Sequence, residues 1–169
     1  MNQPNNLPGA FTENEGRKIA ELAENKICLE IGSLFGRSSS FIASTAKKLF
    51  CIDLFEVGFN FNNVDLSFST VETFIKNTSR FNNIIPIISK SDNVPLIICN
   101  DCFDLIFIDA GHEYKDVMTD ITNWLPKLKK GGIMAFHDYA NPDYPGVQKA
   151  VEEKFEISGK VDYLAWAVK

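Results

Sequence analysis

Two pairs of polar residues end apolar segments, and their types and spacing are suited to chemistry. Asp109 and His112 come at the end of the apolar run FDLIFI, and His137 with Asp138 ends the run GIMAF. A histidine can accept a proton near neutral pH, and carboxylate oxygens can hold a hard divalent cation such as Mg²⁺. The four side chains act together if the two runs are neighbouring parallel strands whose carboxyl ends meet.

A structural role is open for each of these residues as well. Asp109 can cap a helix that begins near Glu113, and His112 can occupy a surface turn. His137 and Asp138 can form a hydrogen-bonded pair at a strand end. As metal ligands, Asp109 and Asp138 favour Mg²⁺, Mn²⁺ or Ca²⁺, whereas the imidazole of His137 favours softer transition metals.

The elements that must position these residues follow from apolar runs that alternate with segments of helical period. This alternation is typical of a parallel sheet covered by helices on both faces, which predicts an α/β fold with one doubly wound, Rossmann-like sheet. The predicted strands are residues 26–31, 49–54, 84–89, 103–109, 132–137 and 161–168. The predicted helices are residues 12–25, 38–48, 69–81, 114–128 and 147–155, with a short piece near Pro95.

Prolines and turn signals order these strands. Pro86 cannot donate a ladder hydrogen bond, so the third strand should lie at a sheet edge. The order 3-2-1-4-5 of doubly wound sheets satisfies this requirement. A short strand near Phe155, turned back by residues 158–160, should pair antiparallel with the last strand at the other edge. Pro126 should shorten the fourth helix, with Gly131 as its stop.

The composition limits the classes of function. The 169 residues, 45% hydrophobic and 23% charged, suffice for one sizeable core, so we expect a single domain at residues 11–169 after a flexible segment at residues 1–10. A net charge of −5 without an extended basic cluster argues against nucleic acid as a partner. No apolar run approaches the roughly 20 residues of a membrane span, and no signal peptide is recognisable, so we expect a cytoplasmic location without a membrane partner.

The four cysteines predict neither a metal site nor a redox site. Cys28 and Cys51 lie inside apolar runs, where free thiols act as small buried hydrophobes. Cys99 and Cys102 form a C-x-x-C, but a structural zinc site needs a second pair of ligands and a redox motif normally opens a helix. We therefore expect reduced structural thiols.

The residues after the first two strands indicate a nucleoside ligand. Gly32 and Gly36 let the backbone approach a ligand, and Ser38 with Ser39 can cap the next helix, whose amide-rich start favours an anion. Asp53 ends the second strand about twenty residues after these glycines, where a carboxylate can accept the hydroxyl protons of a ribose. The glycines alone are also compatible with a simple tight turn.

The chain resembles a class I S-adenosylmethionine-dependent methyltransferase in the order and spacing of four segments: LEIGSLFGRSS, CID, FIDAGHEYKDVMTDITNWLPKLKKGGIMAFHDY and PGVQKAVEE. The similarity covers most of residues 9–168 and is greatest to small-molecule O-methyltransferases and the sugar methyltransferases of macrolide biosynthesis. In that branch, an Asp-x-x-His after the fourth strand and an acidic pair after the fifth form the reaction centre. His137 stands where some relatives carry Glu, which should weaken binding of a hard ion.

The resemblance implies S-adenosylmethionine as the cofactor and a set of residues that bind it. These predicted residues are Glu30, Gly32, Ser33, Gly36, Ser38, Asp53, Ser91, Asp92 and Asp109. Gly32 and Gly36 would pass the methionine part, Ser38 would lie near its carboxylate, and Asp53 would hold the ribose. Ser91 and Asp92 fall where the family contacts adenine, and both can equally cap the helical piece near Pro95.

The implied reaction is methyl transfer to a hydroxyl of a small molecule such as a sugar, phenol or natural product. The resemblance supplies Mg²⁺ as the metal, with Asp109, His137 and Asp138 as its ligands, and His112 is the candidate base. Two alternatives stay open. A nucleotide-dependent oxidoreductase is disfavoured because Leu34 replaces the second glycine of G-x-G-x-x-G. A non-catalytic nucleoside-binding module would not need His112.

Two segments are candidates for the wall of the acceptor pocket. Residues 55–68 place four phenylalanines among asparagines outside any clear periodicity. They can form a lid, a pocket wall or a subunit contact in a homo-oligomer. Residues 141–146, together with Tyr139 and Tyr144, form the second candidate. Neither segment identifies the acceptor.

Overall fold

The computed structural model describes residues 7–61 and 64–169. Its helices are α1 (Glu13–Ala23), α2 (Arg37–Ala43), α3 (Val71–Thr78), α4 (Tyr114–Trp124) and α5 (Pro145–Lys154). Its strands are β1 (Ile27–Ile31), β2 (Lys48–Asp53), β3 (Glu56–Phe61), β4 (Val64–Ser69), β5 (Ile84–Ile88), β6 (Phe103–Ile108), β7 (Leu128–Phe136), β8 (Gly159–Val161) and β9 (Leu164–Val168). One-turn 3₁₀ helices occur at Pro95–Ile97 and Leu125–Lys127.

The central sheet has seven strands in the order β5-β2-β1-β6-β7-β9-β8. The first five of these run parallel, and β9 pairs antiparallel with both β7 and β8. This arrangement confirms the predicted order 3-2-1-4-5 with an antiparallel carboxy-terminal edge. It also places Pro86 on an edge strand, where one side of the backbone makes no ladder hydrogen bonds and a proline is tolerated.

The register brings the carboxyl ends of the parallel strands to one level. Ile31 at the end of β1 pairs with Ile52 of β2 and with Ile108 of β6, and Ile108 pairs with Phe136 of β7. The residues that follow these four therefore leave the sheet at the same edge. The polar residues singled out in the sequence are among them.

Two hydrophobic cores cover the two faces of the sheet. Helices α1, α2 and α3 pack on one face through side chains such as Ile19 and Phe74, and α4 and α5 pack on the other. In α4, Val117, Ile121 and Trp124 are all buried at spacings of four and three residues, which places them on one side of the helix. Each fully buried apolar side chain contributes about 1.5–3 kcal/mol, so this side fixes α4 on the sheet.

The fourth helix ends earlier than the sequence pattern predicted. α4 stops at Trp124 and continues as one 3₁₀ turn through Pro126, which confirms that the proline shortens it. The prediction that Gly131 stops the helix is wrong. β7 already begins at Leu128, and Gly131 lies inside it with φ +76°, where the pairing register with β6 shifts. Gly131 accommodates the irregularity in β7, because a glycine adopts a positive φ without strain.

Two hairpins differ from the predictions made for their segments. β8 and β9 form the expected antiparallel pair, but Val161 pairs with Leu164, so the turn falls at residues 162–163 instead of 158–160. Residues 56–69 form the antiparallel hairpin β3–β4, where no strand was predicted. The side chains of residues 59–67, on which a role as lid, pocket wall or subunit contact depends, lie outside the described residues.

The amino terminus is described from residue 7 onward, so residues 1–6 of the predicted flexible segment lie outside the description. Leu7 is buried, and the Arg37 guanidinium donates hydrogen bonds to the carbonyl oxygens of Leu7 and Phe11. α1 begins with a capping box formed by Thr12 and Glu15. Thr12 N donates to the Glu15 carboxylate at 2.7 Å, and Glu15 N donates to Thr12 Oγ1 at 3.2 Å.

The cysteines follow the prediction in part. Cys28 and Cys51 are free and buried, as expected. Cys99 and Cys102 are joined in a disulfide, so the expectation of reduced thiols is wrong for this pair. The short loop ahead of β6 brings their Cα atoms to 6.1 Å, which is within bonding reach. No helix in the described part of the chain combines the length and hydropathy that a bilayer crossing requires.

Candidate active site

A crevice of about 960 Å³ lies at the carboxyl ends of the parallel strands. It opens where the chain leaves β1 and β6 toward opposite faces of the sheet, which is where ligands bind in doubly wound folds. Among its lining residues are Gly32, Ser33, Ser38, Asp53, Ser91, Asp92, Asp109, His112, His137 and Asp138. The structure therefore brings ten of the predicted site residues to one cavity.

The loop after β1 depends on two glycines. Gly32 has φ +88°, and a Cβ atom there would lie 2.0 Å from the carbonyl oxygen of Asp109. Gly36 has φ +84° and is the N-cap residue of α2. The prediction that Ser38 and Ser39 cap α2 is wrong, because both hydroxyls donate to a buried carboxylate instead.

The acceptor of these hydroxyls is Glu30. Its carboxylate is fully buried and accepts hydrogen bonds from Ser33, Ser38 and Ser39. Burial raises the pKa of Glu30 to about 7, although the serine hydrogen bonds oppose the shift. Glu30 lies under the glycine loop and is not among the lining residues, so it supports the loop from below.

Asp53 organises the same loop from β2. Its Oδ2 atom accepts from the backbone N–H groups of Ser33 and Leu34 at 2.7 and 2.8 Å, and its Oδ1 atom accepts from Phe55 N at 2.6 Å. A carboxylate has about four acceptor sites, so three of them are used by the backbone. The remaining site on Oδ1 is the one left for a ligand hydroxyl.

The other end of the crevice contains a buried residue that sequence reasoning missed. Ser91 donates to the Oδ1 atom of Asp120 at 2.6 Å, and Asp120 is only 4% exposed on α4. Burial raises the pKa of Asp120 to about 6; the Ser91 hydrogen bond opposes this shift, and the charges of Asp116 and Asp92 add to it. An acidic residue three positions after Val117, on the buried side of α4, was the available signal.

The reaction end of the crevice contains four predicted site residues: Asp109, His112, His137 and Asp138. Asp138 Oδ2 lies 3.0 Å from His112 Nε2 and 3.2 Å from His137 Nδ1. Asp109 Oδ1 lies 3.1 Å from the same His137 nitrogen. The four predicted residues are therefore in direct contact. The other oxygen of Asp138, Oδ1, accepts a hydrogen bond from Asn141 Nδ2 at 2.7 Å.

Ion pairing sets the protonation of this cluster. Burial alone would lower the pKa of His137, but the neighbouring carboxylates of Asp109, Asp138 and Glu15 outweigh it and raise the pKa to about 12. Burial raises the pKa of Asp109, and its contact with His137 opposes the shift. Burial likewise opposes ionisation of Asp138, but its hydrogen bonds with His137 and Asn141 lower its pKa. The surrounding carboxylates therefore favour the protonated form of His137 over the neutral form.

The cluster also satisfies the geometry of a metal site. Asp109, His137 and Asp138 each offer one ligand atom, and these atoms lie within 4.8 Å of one another. Neighbouring ligands at 2.0–2.2 Å from an octahedral ion stand about 3 Å apart, which matches the 3.1 and 3.2 Å from His137 Nδ1 to the two carboxylates. The residues fit a divalent cation, provided that Nδ1 gives up its proton.

Aromatic side chains close the reaction end. The ring of Tyr144 stacks on that of His112 with a centroid distance of 4.1 Å and an angle of 17°. Tyr144 lines the crevice together with Asn141 and Asp143, so residues 141–146 reach the cavity. Tyr139, the other predicted pocket residue, is not a lining residue; its hydroxyl donates to Glu152 at 2.9 Å.

A family profile described as a methyltransferase domain matches residues 29–139, which is more than half of the chain. The chain belongs to this methyltransferase family. The predicted class I S-adenosylmethionine-dependent methyltransferase is therefore confirmed at the level of the family. The matched range contains the glycine loop, Asp53 and the reaction end up to Tyr139.

Solved structures share the fold of this methyltransferase. NodS of Bradyrhizobium japonicum is an N-methyltransferase solved in complex with S-adenosylhomocysteine, and it has a TM-score of 0.68 at 17% identity. The match covers 95% of this chain and 88% of the NodS chain. The O-methyltransferase NovP and the cofactor-bound Rv0187 from MTB both have a TM-score of 0.73 at 16% identity. They cover 95% and 96% of this chain and 83% of their own chains. Because these neighbours include both an N- and an O-methyltransferase, the fold leaves the acceptor atom open.

One curated sequence relative matches a short segment of this methyltransferase. The uncharacterized protein y4gI of Sinorhizobium fredii is 46% identical over 35 residues, which are 21% of this chain and 4% of the relative. The matched segment is thus a small fraction of that relative's length.

Proposed function

We propose that the protein transfers a methyl group from S-adenosylmethionine to a hydroxyl of a small molecule, with His112 as the base. The observation that carries this proposal is the contact between His112 and Asp138, in the same crevice as the glycine loop. A base paired with an orienting carboxylate is what removal of a hydroxyl proton requires. A binding module has no need of that pair.

The cofactor is held along the carboxyl ends of β1, β2 and β5. Gly32, Ser33 and Leu34 line the crevice, so the backbone of this loop would hold the methionine part there. The remaining acceptor site of Asp53 takes one ribose hydroxyl. Ser91 and Asp92 line the crevice and would contact the adenine, and the bond from Ser91 to Asp120 fixes the position of their loop.

Proton removal is assigned to His112. With its Nε2–H directed to Asp138, the other ring nitrogen, Nδ1, accepts the proton from the acceptor hydroxyl. The imidazolium that forms is stabilised by the carboxylate 3.0 Å away. The hydroxyl oxygen then attacks the methyl carbon in line, the carbon–sulfur bond breaks, and S-adenosylhomocysteine leaves with the electron pair on sulfur. Holding the oxygen and the methyl group in this geometry lowers the activation free energy by about 7–11 kcal/mol.

A divalent cation, predicted from the sequence as Mg²⁺, would be held by Asp109, His137 and Asp138 and would lower the pKa of the acceptor hydroxyl. The acceptor itself is placed between this cluster and Tyr144. The crevice is at the upper end of the roughly 300–1,000 Å³ of small-molecule sites, so it suits a cofactor with a small acceptor. Sugars, phenols and related natural products meet these requirements.

The test is a methyl-transfer assay that measures S-adenosylhomocysteine formed with sugar, phenol and amine acceptors. We expect turnover with a hydroxyl acceptor, and a loss of about 10²–10⁴-fold in kcat for His112→Ala with unchanged affinity for S-adenosylmethionine. Glu113→Gln is the matched control, because Glu113 is the exposed neighbour of His112 and makes no side-chain cap. Turnover with amines alone, or full activity of His112→Ala, would reject the proposal.

A further inference from the structure

Glu15 reaches the reaction end from the first turn of α1, far from it in sequence. Its side chain is fully buried and held at both oxygens: Oε2 accepts from Thr12 N at 2.7 Å, and Oε1 accepts from Tyr163 N at 2.8 Å. Oε2 also lies 3.4 Å from Nε2 of His137. A carboxylate anchored in this way presents a fixed negative charge to the rear of the imidazole.

The ring of His137 is fixed between Glu15 and the crevice. Its side chain is 5% exposed, and Nδ1 faces both Asp109 and Asp138. Nε2 is buried and makes no hydrogen bond of normal geometry with the described residues, and the Glu15 carboxylate lies 3.4 Å from it. The ring of Phe11 packs on the imidazole with centroids 5.1 Å apart, which opposes a ring flip.

The orientation of a histidine ligand is set by the bond that its other nitrogen makes. Metal-binding histidines usually donate that second N–H to a carboxylate, which fixes the tautomer and makes the ligating nitrogen a better donor. Glu15, His137 and the cluster formed with Asp109 and Asp138 have this order. In α1, one residue therefore closes the capping box and also supports the reaction end.

The donor set favours one class of ion. An imidazole nitrogen beside two carboxylate oxygens is suited to first-row transition ions, whose affinity for nitrogen donors exceeds that of Mg²⁺. Mg²⁺ is bound through oxygen ligands and retains several waters, so it gains little from His137. A Glu in place of His137 would remove the nitrogen ligand, and with it the preference for transition ions over Mg²⁺.

We propose that Glu15 is a positioning residue that holds Nδ1 of His137 toward Asp109 and Asp138, and that the resulting site binds Mn²⁺ in preference to Mg²⁺. This inference rests on the proposed metal-assisted function and names the class of ion that serves it. It adds to that site a residue from outside the segment 29–139 that the family profile matches.

The test measures metal binding to the protein in the absence of cofactor and acceptor. Mn²⁺ binding is measured by electron paramagnetic resonance and Mg²⁺ binding by calorimetry. We expect the wild-type protein to bind Mn²⁺ at least tenfold more tightly than Mg²⁺. Glu15→Gln should weaken Mn²⁺ binding by about 10–100-fold and change Mg²⁺ binding much less. The ratio of the two affinities is the readout, because general loosening of the fold would lower both.

Two control variants separate positioning from helix capping. Thr12→Ala weakens the same cap, since Thr12 Oγ1 accepts from Glu15 N, but it leaves the contact between Glu15 and His137 in place. Glu13→Gln changes an exposed acid on the same turn. Both should retain the wild-type preference for Mn²⁺.

Three results would overturn the inference. They are equal affinity of the wild-type protein for Mn²⁺ and Mg²⁺, an unchanged affinity ratio in Glu15→Gln, and an equal fall of that ratio in Thr12→Ala. Each is obtained without a methyl acceptor. Failure here therefore leaves methyl transfer to be judged by its own assay.

Discussion

Replacing Glu30 by Gln should remove a pH dependence of folding stability that the buried carboxyl creates. Its pKa is raised from an ordinary value of 4.5 to about 7 by burial under the glycine loop. At about 1.36 kcal/mol per pKa unit, the shift corresponds to about 3 kcal/mol. The native state binds the proton more tightly than the unfolded state does, so this stability is fully present below pH 4.5 and is lost as the pH rises through 7.

The assay is urea denaturation of the wild-type protein and of Glu30→Gln across this pH range. The difference between their free energies of unfolding isolates the one carboxyl, because the other titrating groups are common to both proteins. Relative to the variant, the wild-type protein should lose about 3 kcal/mol between pH 4.5 and 8. A difference that stays constant over this range would refute the assignment of a buried, late-titrating Glu30.

Three further predictions follow from other contacts. Gly32→Ala places a Cβ 2.0 Å from the Asp109 carbonyl at a positive φ, so calorimetry should show loss of S-adenosylmethionine binding and scanning calorimetry a lower Tm. Ser91→Ala removes the donor to buried Asp120 and should cost about 1–3 kcal/mol in urea denaturation at pH 8; no change would contradict the bond. Tyr144→Ala removes the ring stacked on His112 and should lower kcat/KM for the acceptor without changing cofactor affinity.

Much of the fold was accessible from the sequence because strong local signals agreed. The alternation of apolar runs and helices gave the parallel sheet, and Pro86 restricted the third strand to an edge, which the observed order confirms. The residues at the reaction end were found for the same reason: each directly follows a predicted strand. Parallel strands of matched length bring such residues together without further information.

The remaining features depend on contacts that no local pattern encodes. Glu15 has an adequate local role in the capping box, and its second role requires His137, which is 122 positions away in the chain and is brought close by the fold. Asp120 is a polar residue on an otherwise clear helical face, and its partner Ser91 lies on another strand's loop. The hairpin at residues 56–69 is an exception, because its strands EVGFNF and VDLSFS alternate apolar with polar or small residues. This period-two pattern is typical of a strand, and the prediction overlooked it.

The most direct test of the central claim is a calorimetric titration of the purified protein with S-adenosylmethionine and S-adenosylhomocysteine, with NAD as the control. We expect both adenosyl compounds to bind with one site per chain and NAD not to compete. Absence of binding by the adenosyl compounds, or preferential binding of NAD, would contradict a methyltransferase that uses this crevice.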